Sequence, residues 1–110
     1  MKKMYELLQT VGVSKSYQGY PYFVLAVEMV IEDESRLCNI RKDVYFPIAI
    51  RYKEDVQNIE RDIRTIRDVI MRNGGEDFLT ELSGGKFSHT KSPYPREIIE
   101  IFAEYLKNQT

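Results

Sequence analysis

The stretch DVQNIERDIRTIRDVIMR, residues Asp55–Arg72, decides how the chain folds. Val56, Ile59, Ile63, Ile66 and Ile70 recur at spacings of three, four, three and four. On an α-helix that spacing lines one face with apolar side chains and leaves the other face polar. Asp55 stands where a helix N-cap belongs, and Gly74 where a helix stop belongs. Val56–Arg72 is the strongest helix of the chain.

Just upstream, Phe46–Tyr52 reads as a shorter helix. Ile48, Ala49 and Tyr52 share one of its faces, and Ala49 is small where two helices must approach closely. Lys53–Glu54–Asp55 joins the pair without the glycine such turns often carry. A short helix, a tight turn and a longer helix form the outline of a helix-turn-helix, here at about residues 46–72.

The remaining segments are also helical in pattern. Met4–Gln9 is a short helix that stops near Gly12. Tyr20–Asp33 is longer, with Phe23, Ala26, Val27, Val30 and Ile31 inward and Pro21 tolerated in the first turn. Asn39–Tyr45 and Phe46–Tyr52 are two short pieces or one helix broken at Pro47. Glu76–Leu82 is short, 84–94 is a loop, and Pro95–Lys107 is amphipathic. No segment alternates apolar and polar residues as a strand would. The expected fold is all-α, about six helices around one core, with residues 1–110 forming a single domain.

Composition narrows the function. Hydrophobic residues make up 43% of the 110, enough for a packed core. No apolar run approaches the ~20 residues that a membrane helix needs, and no signal peptide is visible at the start. Cys38 is the only cysteine, so no internal disulfide forms, and the expected location is the reducing cytoplasm. Net charge is −1, but the distribution is uneven. Residues 1–34 carry −2, residues 35–75 carry +3 and residues 76–110 carry −2. The positive charge lies where a phosphate-contacting surface would have to be.

The polar face of the 56–72 helix holds Gln57, Asn58, Glu60, Arg61, Arg64, Thr65 and Asp68. Arginine pairs with guanine O6 and N7, Gln and Asn pair with adenine, and Glu accepts from cytosine N4. Gln57, Asn58, Glu60 and Arg61 are candidate base-reading residues. Arg64, Arg67 and Arg72, farther along, suit phosphates, which fix position without reading sequence. The same face also fits a solvated helix with ordinary ion pairs such as Glu60–Arg64 at i,i+4. Pattern alone leaves both readings open.

Three stretches, QGYPYFVLAVEMVIED (18–33), IAIRYKEDVQNIERDIR (48–64) and FSHTKSPYPREIIEIFAEYL (87–106), together with ELLQTVGV (6–13), carry a resemblance. They resemble, in order and nearly end to end, the C-terminal effector domain of the stage-zero sporulation protein A response regulators of endospore-forming bacteria. The resemblance implies a six-helix domain that binds a short box of double-stranded DNA, regulates sporulation-related transcription and often sits as a tandem homodimer. It implies that Glu60 and Arg61 contact bases and that Arg64 lies at the DNA backbone or groove edge. Lys91, in the stretch before the last helix, is a further candidate phosphate contact. The end of the recognition helix and the segment after it, about Met71–Leu79, would meet the polymerase sigma subunit; Met71, Arg72 and Glu76 are its candidates. This sequence departs from the family at Asp62, where a small apolar residue is usual, and at Gln57 and Asn58, which replace Ser and Arg. The loop SPYP is one residue shorter. The family's N-terminal receiver domain has no counterpart in these 110 residues.

Other residues read as structural. His89 stands alone without metal-ligand spacing, and Cys38 is expected to be a small buried residue. Glu32–Asp33–Glu34 reads as helix termination, with Asp33–Ser35 capping the next segment. Gly84–Gly85–Lys86 lacks the strand and spacing of a phosphate loop. No nucleophile–base arrangement appears, so neither an enzyme nor a cofactor is expected. The pI of 5.9, Asp62 and Glu54–Asp55 motivate a second reading. In it the chain is a protein-interaction module of the same fold that has lost DNA and titrates a regulator or sigma factor.

Overall fold

A computed structural model describes residues 2–87 and 92–109. The α-helices are α1 (Lys2–Thr10), α2 (Tyr20–Glu32), α3 (Phe46–Tyr52), α4 (Val56–Arg72), α5 (Gly75–Leu82) and α6 (Pro95–Lys107). A 3-10 turn, Glu34–Asn39, and a π turn, Arg41–Tyr45, lie between α2 and α3. Among the described residues there is no strand, and the fold is all-α.

The core is built from one stripe per helix. On α4, Ile59, Ile63, Ile66, Val69 and Ile70 are all buried. Each such side chain contributes roughly 1.5–3 kcal/mol when removed from water, so the stripe fixes which way α4 faces. On α2, Tyr22, Phe23, Ala26, Val27 and Val30 turn inward. Phe23 meets Phe102 of α6 edge to face at 5.1 Å, and Phe78 of α5 reaches the same ring at 6.1 Å. Met4, Leu7 and Leu8 of α1 close one side of this core.

Of the two readings for 39–52, the structure has two short pieces that meet at Tyr45 and Phe46, a π turn running directly into α3, and no break at Pro47. Proline has no N–H, so the carbonyl of Asp43, four residues back, loses its helical donor. The register shifts by one residue: the Phe46 N–H goes back to the Arg41 carbonyl, and the turn becomes a π turn. The Arg36 guanidinium donates to the Asp43 carbonyl at 2.6 Å and takes the place of the missing bond. A second expectation also changes. Cys38 is exposed rather than buried, because the 3-10 turn buries no residue fully and turns Leu37 toward the core. Helix α2 ends as read: Asp33 is extended, and its carboxylate accepts from the Ser35 N–H at 3.1 Å and the Ser35 hydroxyl at 2.6 Å. These bonds hold the Asp33 carboxyl below its usual range.

Gly19, at the start of α2, is buried. A Cβ there would collide with the backbone carbonyl of Asp62 and press on Ile66, so only glycine lets α2 lie this close to α4. At the far end of α4, the Asn73 amide donates to the Val11 carbonyl at 2.9 Å and ties α4 to the segment after α1. Gly19→Ala should lower stability by about 2–3 kcal/mol, because the backbone it meets cannot swing aside. Urea denaturation measures this. An unchanged midpoint would mean the contact is loose.

Candidate nucleic-acid interface

Helix α3 ends by turning left-handed at Lys53, with φ 55° and ψ 46°. The Glu54 N–H donates back to the Ala49 carbonyl at 2.9 Å, closing the helix end. Lysine here occupies the conformation that glycine usually supplies. Asp55 is then extended, and its carbonyl accepts from Asn58 and Ile59 to start α4. Asp55 holds the N-cap position expected of it, but its carboxylate makes no capping hydrogen bond. The carboxylate still lies at the positive end of the helix dipole.

With the isoleucines locked inward, α4 presents Gln57, Arg61, Arg64 and Thr65 to solvent. Asn58 and Glu60 are half-buried at the edges of this face. The Asn58 amide donates to Glu54 at 2.9 Å, part of the turn itself. Glu60 does not pair with Arg64. Its carboxylate accepts from Nε of Arg41 in the π turn at 3.0 Å. Arg61 extends from the helix with its side chain 60% exposed, its Nε 3.3 Å from the Asp62 carboxylate. Arg64 makes no side-chain hydrogen bond or ion pair among the described residues.

The other sequence candidates fall outside this cluster. Arg67 is drawn down: its side chain is 17% exposed, bonded to Asp68 at 3.0 Å and to the Pro93 carbonyl at 3.2 Å. It pins the segment before α6 against α4. Met71 is half-buried, and Arg72 and Glu76 are exposed where α4 gives way to α5. Lys91 and His89 lie outside the described residues.

Sequence reasoning missed Arg41. It stands 19 residues from Glu60, and no local spacing links the two. Only the excess of basic residues in the middle third hinted at it. Asp62 behaves differently from its place in the sequence. Its side chain is 12% exposed and lies at the α2–α4 contact, next to Tyr22. Burial chiefly raises the Tyr22 phenol above its ordinary value, and the carboxylates of Glu54 and Asp62 add to that. Tyr22 in turn packs edge to face on Tyr52 of α3 at 5.0 Å.

Charge separates the surfaces. Open grooves beside α6 carry Glu34, Glu97, Glu100 and Glu104 against Lys86 and Lys107, an excess of negative charge that opposes a polyanion. Arg41, Arg61 and Arg64 gather at the outward side of α4. Among the described residues, no three His, Cys, Asp or Glu side chains stand close enough to hold a metal ion. No helix there is long and apolar enough to cross a membrane.

Tyr45 lies beneath this surface, buried, with Glu60, Arg64 and Arg96 near enough for their charges to act on it. Burial, then Glu60, pushes its phenol up to about 12. The neutral phenol is the form the folded state favours. Its contribution is therefore fully present below pH ~10 and is lost as the pH rises from there to about 12. Urea midpoints should be flat from neutrality to about pH 10. Above that, stability should fall by on the order of 2 kcal/mol, and Tyr45→Phe should blunt the fall. An equal alkaline loss in that variant would assign it to other groups.

The family model described as sporulation initiation factor Spo0A C terminal matches residues 4–106. The chain belongs to this family of DNA-binding domains.

Proposed function

We propose that the chain is a sequence-specific DNA-binding transcription regulator domain that places α4 in the major groove. One observation carries this reading. The buried isoleucine stripe turns Gln57, Glu60, Arg61 and Arg64 to a single outward edge of α4. That edge follows a short helix and a tight turn, the arrangement by which a helix-turn-helix offers its second helix to base edges. Family membership supports it.

In this proposal Arg61 pairs with guanine and Glu60 accepts from cytosine, with Gln57 and Asn58 at the neighbouring bases. Arg64 and Lys91 contact phosphates. Arg67 would join them only by leaving the Pro93 carbonyl. Met71, Arg72 and Glu76 are the proposed sigma-subunit contact, and a tandem homodimer on DNA is the proposed assembly. The cytoplasm is the proposed location.

A second reading is favoured by Phe46 and Ile50. They are 53% and 65% exposed, one turn apart on α3. Such a pair suits a protein partner and supports the interaction module without DNA. A gel-shift against a random duplex library at low salt separates the two. Enrichment of one sequence, with binding that weakens as salt rises, is the result expected of a DNA reader. No enriched sequence and no salt-dependent binding would overturn the proposal. Arg61→Ala should cost about 1–3 kcal/mol at the best site and relax preference at one base pair. Arg64→Ala should weaken binding to all sequences alike and reduce the salt slope by about one.

A further inference from the structure

Glu60 poses a problem for any account in which it reads a base. A glutamate on a helix surface samples several rotamers, and holding such a side chain in one costs conformational entropy. Its negative charge also opposes the approach of DNA. Both difficulties meet at Arg41. This residue opens the π turn, outside α3 and α4. Its Nε donates to Oε2 of Glu60 at 3.0 Å. That single bond restrains one carboxylate oxygen and leaves Oε1 without a bond among the described residues. It also cancels the charge.

The Arg41 side chain is 56% exposed and that of Glu60 28%, so the pair stays in reach of solvent. The buried Tyr45 ring lies near Glu60 on the core side. Arg64, one turn along α4, is the usual i,i+4 partner, yet among the described residues it makes no ion pair. The placement of Arg41 depends in turn on Pro47. Pro47 shifts the helix register, and the π turn that results carries Arg41.

We propose that Arg41 is a positioning residue for DNA reading: it holds the Glu60 carboxylate in the orientation that accepts a hydrogen bond from a base edge. The proposal rests on the reading of α4 as the recognition helix. A lysine would keep the charge but not a fixed planar donor, so Arg41→Lys is the discriminating variant.

The test is selection from a random duplex library followed by binding titrations. It compares the parent chain, Arg41→Ala, Arg41→Lys, Glu60→Ala and the Arg41→Ala/Glu60→Ala double variant. Glu60→Ala and Arg41→Ala are expected to lose preference at the same base pair, by about five- to tenfold. Preference at the base pair contacted by Arg61 should be kept. The double variant should lose no more at that base pair than either single one. Arg41→Lys should keep the parent's salt slope and still lose the preference. Thermal melts of each variant check that it folds.

Unchanged base preference in Arg41→Ala overturns the proposal. So does a uniform loss on all duplexes with a salt slope lower by about one, which would make Arg41 a phosphate contact. Glu60→Ala with the parent's preference everywhere also overturns it. If the parent itself selects no duplex, the recognition-helix reading falls, and the proposal falls with it.

Discussion

The contact between Gly19 and the backbone carbonyl of Asp62 governs how the rest of the molecule is arranged. It lets the start of α2 lie directly on the middle of α4, where a larger residue would hold the helices apart. With that distance set, Ile59, Ile63 and Ile66 reach the core and are buried to 1% exposure or less. The rotation of α4 follows from their burial. Arg61 and Arg64 face outward because the opposite side of the helix is already committed. An outward face of long, flexible side chains gains its definition from a stripe of short, stiff, branched ones.

The outward face is not idle in the free protein. Glu60 is paired with Arg41, and Arg61 leans on Asp62. Exposed pairs of this kind contribute about 0–1 kcal/mol to stability. They do not lock the surface. They restrain long side chains while limiting the repulsion between like charges. Asp62 belongs to the same arrangement from below. Although it interrupts the basic edge in the sequence, its carboxylate is mostly buried beside Tyr22. The near-neutral chain therefore still presents outward arginines on α4, while three of its carboxylates, Glu97, Glu100 and Glu104, lie along α6.

Much of this was legible in the residues themselves. The isoleucine spacing of α4, the apolar face of α2 and the Asp33 terminus are local patterns, and local patterns survive folding. The turn at Lys53 was legible in position, although its left-handed backbone falls on a lysine. Three features were not legible, each for the same reason. The Arg36 bond to the Asp43 carbonyl, the Arg41–Glu60 pair and the Arg67–Pro93 bond join residues 7, 19 and 26 positions apart. None of these pairs lies within one element, so only the packed structure reveals them. The exposure of Cys38 was missed because its burial was argued from residue type, whereas the 3-10 turn decided it.

The central claim is that the outward face of α4 is what meets DNA. Nuclear magnetic resonance of the labelled chain, titrated with a duplex enriched from a random library, tests it most directly. The account predicts that the largest shift changes fall on Gln57, Glu60, Arg61 and Arg64, with Arg41 moving alongside Glu60. Changes centred on Phe46 and Ile50, or on the Glu100–Glu104 side of α6, with α4 left unperturbed, would contradict it.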